Sequence, residues 1–357
     1  MSFVRGRASY RVFQLTTSWP SRFAEQLQSA ALPSLDRLGS QPLAGWTGGR
    51  HPLDVPVRDE HVARGGLYRW HFVQVRRRIP ASYLRAMIEV ATLARMDAEG
   101  VPMLSRAARS EVRRQVEERL LAQAQPTLWV IELVGDATAG LVWASAVSPL
   151  QADRIGVEWH RTFGQKLELL DPVGAAMQLG FVDPRRWPAS ERAEVDPGAE
   201  FFTWLWFRME TQGSDVQSAR HGRFAYLLEG PICLGYDEGD GALELVARKG
   251  DPMSSADTRA ALRSGKCLLR CRMTLARGDR QWSAMIEARS FAVRSAQWAE
   301  DGEWDSADDP FGERISQLRE FHELWMDLYR SFLEVRTDPR RWSSEVSELR
   351  RWREGAR

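Results

Sequence analysis

The sequence predicts an α+β protein in which antiparallel sheets are interrupted by helices. Two patterns carry this reading. Short apolar runs alternate with polar residues and are joined by tight turns, and longer stretches with helical spacing fall between them. Size and composition agree. The chain has 357 residues, enough for one large domain or two to three ordinary ones, and 43% hydrophobic with 27% charged content supports a buried core. A collagen-like or largely disordered chain is excluded.

Tyr10 to Leu15 reads as a short strand. Trp19-Pro20 opens a helix with Phe23, Leu27 and Ala30 on one face. Residues 39–66 are rich in Gly and Pro and predict a loop. From Leu67 to Val75, Tyr68, Trp70 and Phe72 alternate with Arg69 and His71, the pattern of a half-buried strand. Residues 80–123 are helical, with Leu84, Met87, Ile88 and Ala91 on one apolar face. Gly100-Val101-Pro102 breaks off a second helix, Ser105 to Gln123. Strands 128–134 and 141–147 follow, then a helix from Leu150 to Phe163 with Ile155, Trp159 and Phe163 at helical spacing.

Phe201 to Phe207 is too aromatic to be exposed and fits either a buried strand or a buried helix. Strands are expected at 223–229 and 242–248, and Ser254 or Ser255 caps a helix ending at Gly265. Longer strands, 267–276 and 281–293, flank the turn Arg277-Gly278-Asp279-Arg280. A long helix, Gly312 to Val335, carries Ile315, Leu318, Phe321, Trp325, Leu328 and Phe332 on one stripe, suited to a core or to a dimer seam. Residues 336–357 form a basic tail. The expected organisation is a sheet region over 1–79, a helical region over 80–125 and a central α+β region over 126–250. A strand pair with the long helix over 251–335 and the tail complete it.

The usual catalytic patterns are missing. Ser264-Gly265-Lys266-Cys267 lacks the Gly that a phosphate loop needs at Ala260 and the hydroxyl it needs at Cys267. The six histidines show no HExxH spacing, and there is no GxSxG elbow. Cys267-x-x-x-Cys271 has no second ligand pair, and three cysteines suit a reducing cytosol without disulfides. Asp237, Glu238, Asp240 and Glu244 sit in a Gly-rich setting that predicts a surface turn rather than a nuclease metal site. The basic N-terminus has no apolar stretch behind it, and no run reaches the roughly 18 apolar residues of a membrane span. A cytoplasmic protein with no enzymatic activity, cofactor or metal is expected.

The formal net charge of +1 argues at first against a nucleic-acid partner. It conceals a partition. Residues 1–22 carry +4, residues 76–119 carry +4, residues 259–280 carry +6 and residues 336–357 carry +3, whereas residues 298–313 carry −7. Nearly all the basic charge is Arg, whose fork suits phosphate, and Lys occurs only at 166, 249 and 266. Arg106, Arg109 and Arg113 share one helical stripe. In the strand starting at Cys267, Arg270 and Arg272 face one way with Thr274, and Cys267, Leu269, Cys271, Met273 and Leu275 face the other. Such faces track phosphates without reading bases, or serve as plain solvated surfaces. The acidic run 298–313 is read as a solvated loop, or as a device that keeps DNA off one face.

Several motifs together resemble the RdgC family of recombination-associated DNA-binding proteins. They are Tyr10-Arg11-Val12-Phe13, Gly45-Trp46, Arg78-Ile79-Pro80 and Leu128-Trp129-Val130, then the run from Glu200 to Phe207, Ser254 to Lys266, and Trp282 to Phe291. The similarity spans roughly residues 8–335. It implies a horseshoe-shaped subunit and a ring-shaped homodimer. It implies further that duplex DNA would pass through a basic hole with little sequence preference, and that the role would be to restrict recombinase access to DNA in the nucleoid. It also implies that the helical region is a finger making one dimer contact, and that Arg248-Lys249 is a basic gate loop. The chain departs from the family at Gly250, where a polar side chain is expected, and at Ala122 to Pro126, which lacks an aromatic hook. The expected DNA-binding set is Arg76, Arg77, Arg78, Arg106, Arg109, Arg113, Arg248, Lys249, Lys266, Arg270, Arg272 and Arg277. The alternative is a protein-binding or structural module derived from that fold, with weak or no DNA binding.

Overall fold

Burying this much aromatic mass needs sheets with helices laid against them, and the chain does this twice. The structure is a computed structural model that describes residues 3–64, 66–184, 187, 196–236, 244–298 and 310–355. It divides into two compact units, Met1–Ser18 with Val134–Arg357, and Trp19–Leu133. The α+β class is observed: antiparallel strands carry helices in both units.

The chain lays down β1 (Ala8–Leu15) and then builds the Trp19–Leu133 unit. Its elements are α1 (Phe23–Ser29), β2 (Leu43–Thr47), α2 (Asp59–Val62), β3 (Ala63–Arg64), β4 (Leu67–Arg77), α3 (Ala81–Glu99) and α4 (Arg106–Gln123). β5 (Pro126–Asp136) starts here and carries the chain back to the larger unit. β4 lies between β2 and β5, with Trp46 opposite Phe72. Trp19 and Phe23 pack against Trp70, and Leu32, Leu38, Val73 and Val75 form a separate cluster. α3 and α4 form a hairpin around Leu104, Val112, Val116 and Leu120.

Two expectations are corrected in this unit. Residues 39–66 are not all loop. Leu43–Thr47 is a strand on β4, because the missing Cβ of Gly45 lets the backbone of Ala31 and Leu32 approach; a Cβ there would sit 2.5 Å from Leu32 N. Nor is β4 half-buried with Arg69 and His71 in water. His71 is buried and donates Nδ1–H to Gly48 O at 2.7 Å, and Arg69 pairs with Glu132 at 2.8 Å, so partners cover both faces.

The larger unit continues through β6 (Leu141–Ala144), α5 (Pro149–Phe163), β7 (Leu167–Leu169), α6 (Pro172–Gln178) and α7 (Pro197–Gln212). Then come β8 (Asp215–Ser218), β9 (Gly222–Gly235), β10 (Leu245–Ala247), α8 (Ala256–Arg263), β11 (Cys267–Arg277), β12 (Arg280–Glu287) and β13 (Val293–Gln297). α9 (Pro310–Arg336) and α10 (Pro339–Glu354) close the chain. The strand order is β10-β9-β11-β12-β13-β1-β6.

The run from Phe201 to Phe207 is helix, not strand. Asp196 caps α7 by accepting from Ala199 N, Pro197 occupies the first turn, and every residue from Gly198 to Phe207 is buried. Gly198 lies against Ala288 O, where a Cβ would sit at 1.9 Å. The expected strand 281–293 is instead two strands, β12 and β13. Between them buried Phe291 adopts a left-handed φ of 48° and packs on Trp325 and Tyr329. The stripe on α9 is core, since all six of its apolar residues are buried within the unit. The basic tail is also folded. Asp338 caps α10, Trp342 packs on Phe332, and Trp352 packs on Trp206 and Phe207.

Candidate nucleic-acid interface

In the Trp19–Leu133 unit, α4 positions the arginine stripe. Ser105 Oγ caps the helix by accepting from Ala108 N, and burial of Val112, Val116 and Leu120 fixes which side faces α3. Arg106, Arg109 and Arg113 remain exposed, and none forms an ion pair among the described residues. By contrast, Arg114 on the same helix is held by Glu111 at 2.6 Å and Glu118 at 2.8 Å. The three free guanidiniums cover roughly 10 Å of helix.

Arg77 has a different place. Its Nη1 donates to Ala122 O at 3.0 Å and Ala124 O at 2.7 Å, which satisfies a carbonyl left open at the end of α4 and puts a cation at the negative end of the helix. That contact brings the end of β4 to the end of α4. Arg76 and Arg78, exposed and without ion pairs among the described residues, therefore flank the C-terminal end of the helix that carries the stripe. Five of the expected DNA-binding arginines thus stand exposed in one unit.

In the larger unit the expected residues are dispersed in role. Arg248 and Lys249 are exposed just after β10, where Gly250 turns the chain at φ 72°. Arg270 and Arg272 are half-buried on the outer face of β11. That face is not purely basic: Glu287 stands opposite Arg270 and Glu229 opposite Arg272. Arg272 donates to Ser283 Oγ at 3.1 Å, and Thr274 donates to Glu229 at 3.1 Å. An irregular register between Leu268 and Arg272 also shifts the expected alternation, so Leu268 rather than Leu269 is fully buried. Lys266 Nζ sits 5.4 Å from the Tyr236 ring centre. Arg277 lies off the outer face, bound to Glu320 of α9.

The segment charges therefore overstate the free charge. In the N-terminal segment, Arg11 is buried and donates to Val147 O, and Arg22 is bound by Glu25. Arg259 is held by Glu210 at 2.5 Å between the rings of Trp206 and Trp352. Arg336 is buried against Glu200 at 2.6 Å, between Trp187 and Trp342. Sequence reasoning also missed residues. Arg85 on α3 and Arg119 on α4 are exposed on the same helical hairpin. Arg294 shares the outer sheet face and pairs with Glu287 at 2.8 Å, hidden by the reading of 281–293 as one strand.

The three cysteines are buried and form no disulfide among the described residues; burial raises the Cys271 thiol pKa well above its ordinary value and pushes that of Cys233 up to about 11. Among the described residues no group of His, Cys, Asp or Glu is placed to hold a metal, and no helix is long and apolar enough to cross a membrane. The cavity beside His322, lined by Tyr10, Phe291 and Trp325, measures about 10 Å³, room for a single water. Asp237, Glu238 and Asp240 lie outside the described residues, as does the acidic run from Glu300 to Asp309; Glu244 and Glu313 are exposed. No protein-family model and no curated protein matches the chain.

Proposed function

We propose that the protein binds duplex DNA through its phosphates, without sequence preference and without catalysing a reaction. The observation that carries this reading is that Arg106, Arg109 and Arg113 form one exposed stripe on α4 with no ion pair among the described residues, while the Arg77 contact places exposed Arg76 and Arg78 at the far end of the same helix. A free guanidinium is ready to exchange counterions for phosphate, whereas one held by a carboxylate must first break that pair. Exposed Arg248 and Lys249 offer a second contact from the larger unit. The resemblance to the RdgC family extends the proposal to a ring-shaped homodimer in the nucleoid that restricts recombinase access to DNA.

Anisotropy titrations of duplexes of unrelated sequence test the reading. Affinities should agree between sequences, and log K should fall with log salt at a slope of roughly −4 to −5 for five phosphate contacts. No binding at low salt, or binding insensitive to salt, overturns it. Light scattering with and without duplex tests the dimer; a monomer in both states overturns that part.

One observation favours the second reading, a protein-binding module. Tyr83, Val90 and Leu93 stand on one side of α3, each more than half exposed, an apolar stripe suited to a protein partner or a second copy. Partners that survive nuclease treatment in a pull-down favour this reading; partners lost with nuclease favour DNA.

A further inference from the structure

The connection between α3 and α4 presents apolar side chains to water at the start of the arginine stripe. α3 ends at Gly100, whose φ of 64° closes the helix, and Val101 N donates back to Met96 O at 3.1 Å. Leu104, 3% exposed, anchors the other end of the connection in the hairpin core, and Ser105 then caps α4. Val101, Pro102 and Met103 lie exposed between these two anchors, and Met103 is 71% exposed. The knuckle is thus fixed at both ends and apolar at its tip. Arg106 follows three residues later, and the open N–H groups that begin α4 lie at the same end.

We propose that this knuckle is a wedge that enters a base step of the bound duplex, with Met103 as the inserted side chain. The inference rests on the duplex-binding reading above. Its chemistry is that of minor-groove proteins that place Met, Leu, Ile, Phe or Pro between base steps alongside arginines that hold the duplex. Met suits the role because its unbranched thioether adapts to whichever step it meets, which fits binding without sequence preference. The charge complementarity is local: Arg106, Arg109 and Arg113 begin within one helical turn of the tip and run along α4.

Duplexes carrying 2-aminopurine at several positions report the unstacking. Wild-type protein should raise the fluorescence of the bound duplex. Met103→Ala should bind with the same salt dependence and lose that rise, and Met103→Leu should keep it. Met103 is exposed, so neither change touches the core. A wild-type complex that forms without a fluorescence rise overturns the wedge and leaves duplex binding standing. So does an undiminished rise with Met103→Ala. Failure of the wild-type protein to bind at low salt overturns both.

Discussion

Arg277 donates to one oxygen of Glu320 at 3.1 Å, and Arg280 donates to the other at 2.8 Å. A single carboxylate on α9 thus holds both arginines at the turn between β11 and β12. The sequence placed Arg277 among DNA-binding residues by its charge, whereas the fold uses that charge to fasten a hairpin to a helix. Glu320→Ala should lower the unfolding free energy by about 1 kcal/mol, a modest loss because both arginines are partly exposed. Chemical denaturation measures it, and an unchanged stability would show the anchor to be idle.

The stripe on α4 should behave in the opposite way. Changing Arg106, Arg109 and Arg113 together to Ala removes no ion pair and should leave the circular dichroism spectrum and melting temperature in place. The slope of log K against log salt should become shallower by about 3. Reversing Arg270 and Arg272 to Glu should weaken binding less than reversing the α4 stripe does, because Glu229 and Glu287 already stand opposite them. Equal effects at the two sites would restore the sheet face as the main contact.

The buried pair Arg336–Glu200 makes a sharper stability prediction. Both side chains are nearly excluded from water, and two indoles flank the guanidinium. Arg336→Leu strands a buried carboxylate and should cost roughly 3 kcal/mol or more in urea unfolding. Adding Glu200→Leu should recover much of that loss, since the stranded charge and not the missing contact dominates.

Stability should also fall in acid for a reason that can be assigned. Burial against Trp143 lowers the His322 pKa to about 4, and burial lowers that of His71 as well. The unfolded chain takes up the His322 proton below about 6.5, and the native protein does so only near 4. The contribution is therefore complete above pH 6.5 and is lost as the pH falls towards 4, in total on the order of 3 kcal/mol for His322. His322→Phe should flatten this part of the pH profile in denaturation experiments. A profile unaltered by that change would refute the assignment.

Periodicity made five of the helices legible, whereas α6 and α10 went unread. α3, α4, α5, α8 and α9 lie where apolar spacing and capping residues put them. β2 escaped notice because what makes it a strand is the approach of the Ala31–Leu32 backbone to Gly45, a contact absent from the local sequence. The break at 288–292 was hidden because Phe291 takes a backbone conformation unusual for an aromatic residue and is held there by α9. At the candidate site the helical offset of Arg106, Arg109 and Arg113 was readable. Which arginines are already occupied was not: Glu200, Glu210 and Glu320 reach their partners through the fold, across long stretches of chain.

β1 pairs Tyr10 with Val293 of β13, as well as lying beside β6. β1 therefore waits for β13, far later in the chain, before one of its edges is covered. The Trp19–Leu133 unit is one continuous segment and is synthesised much earlier. Nascent chains arrested before residue 293 should hold a folded smaller unit and an open, apolar β1, the kind of edge that chaperones shield and that otherwise seeds aggregation.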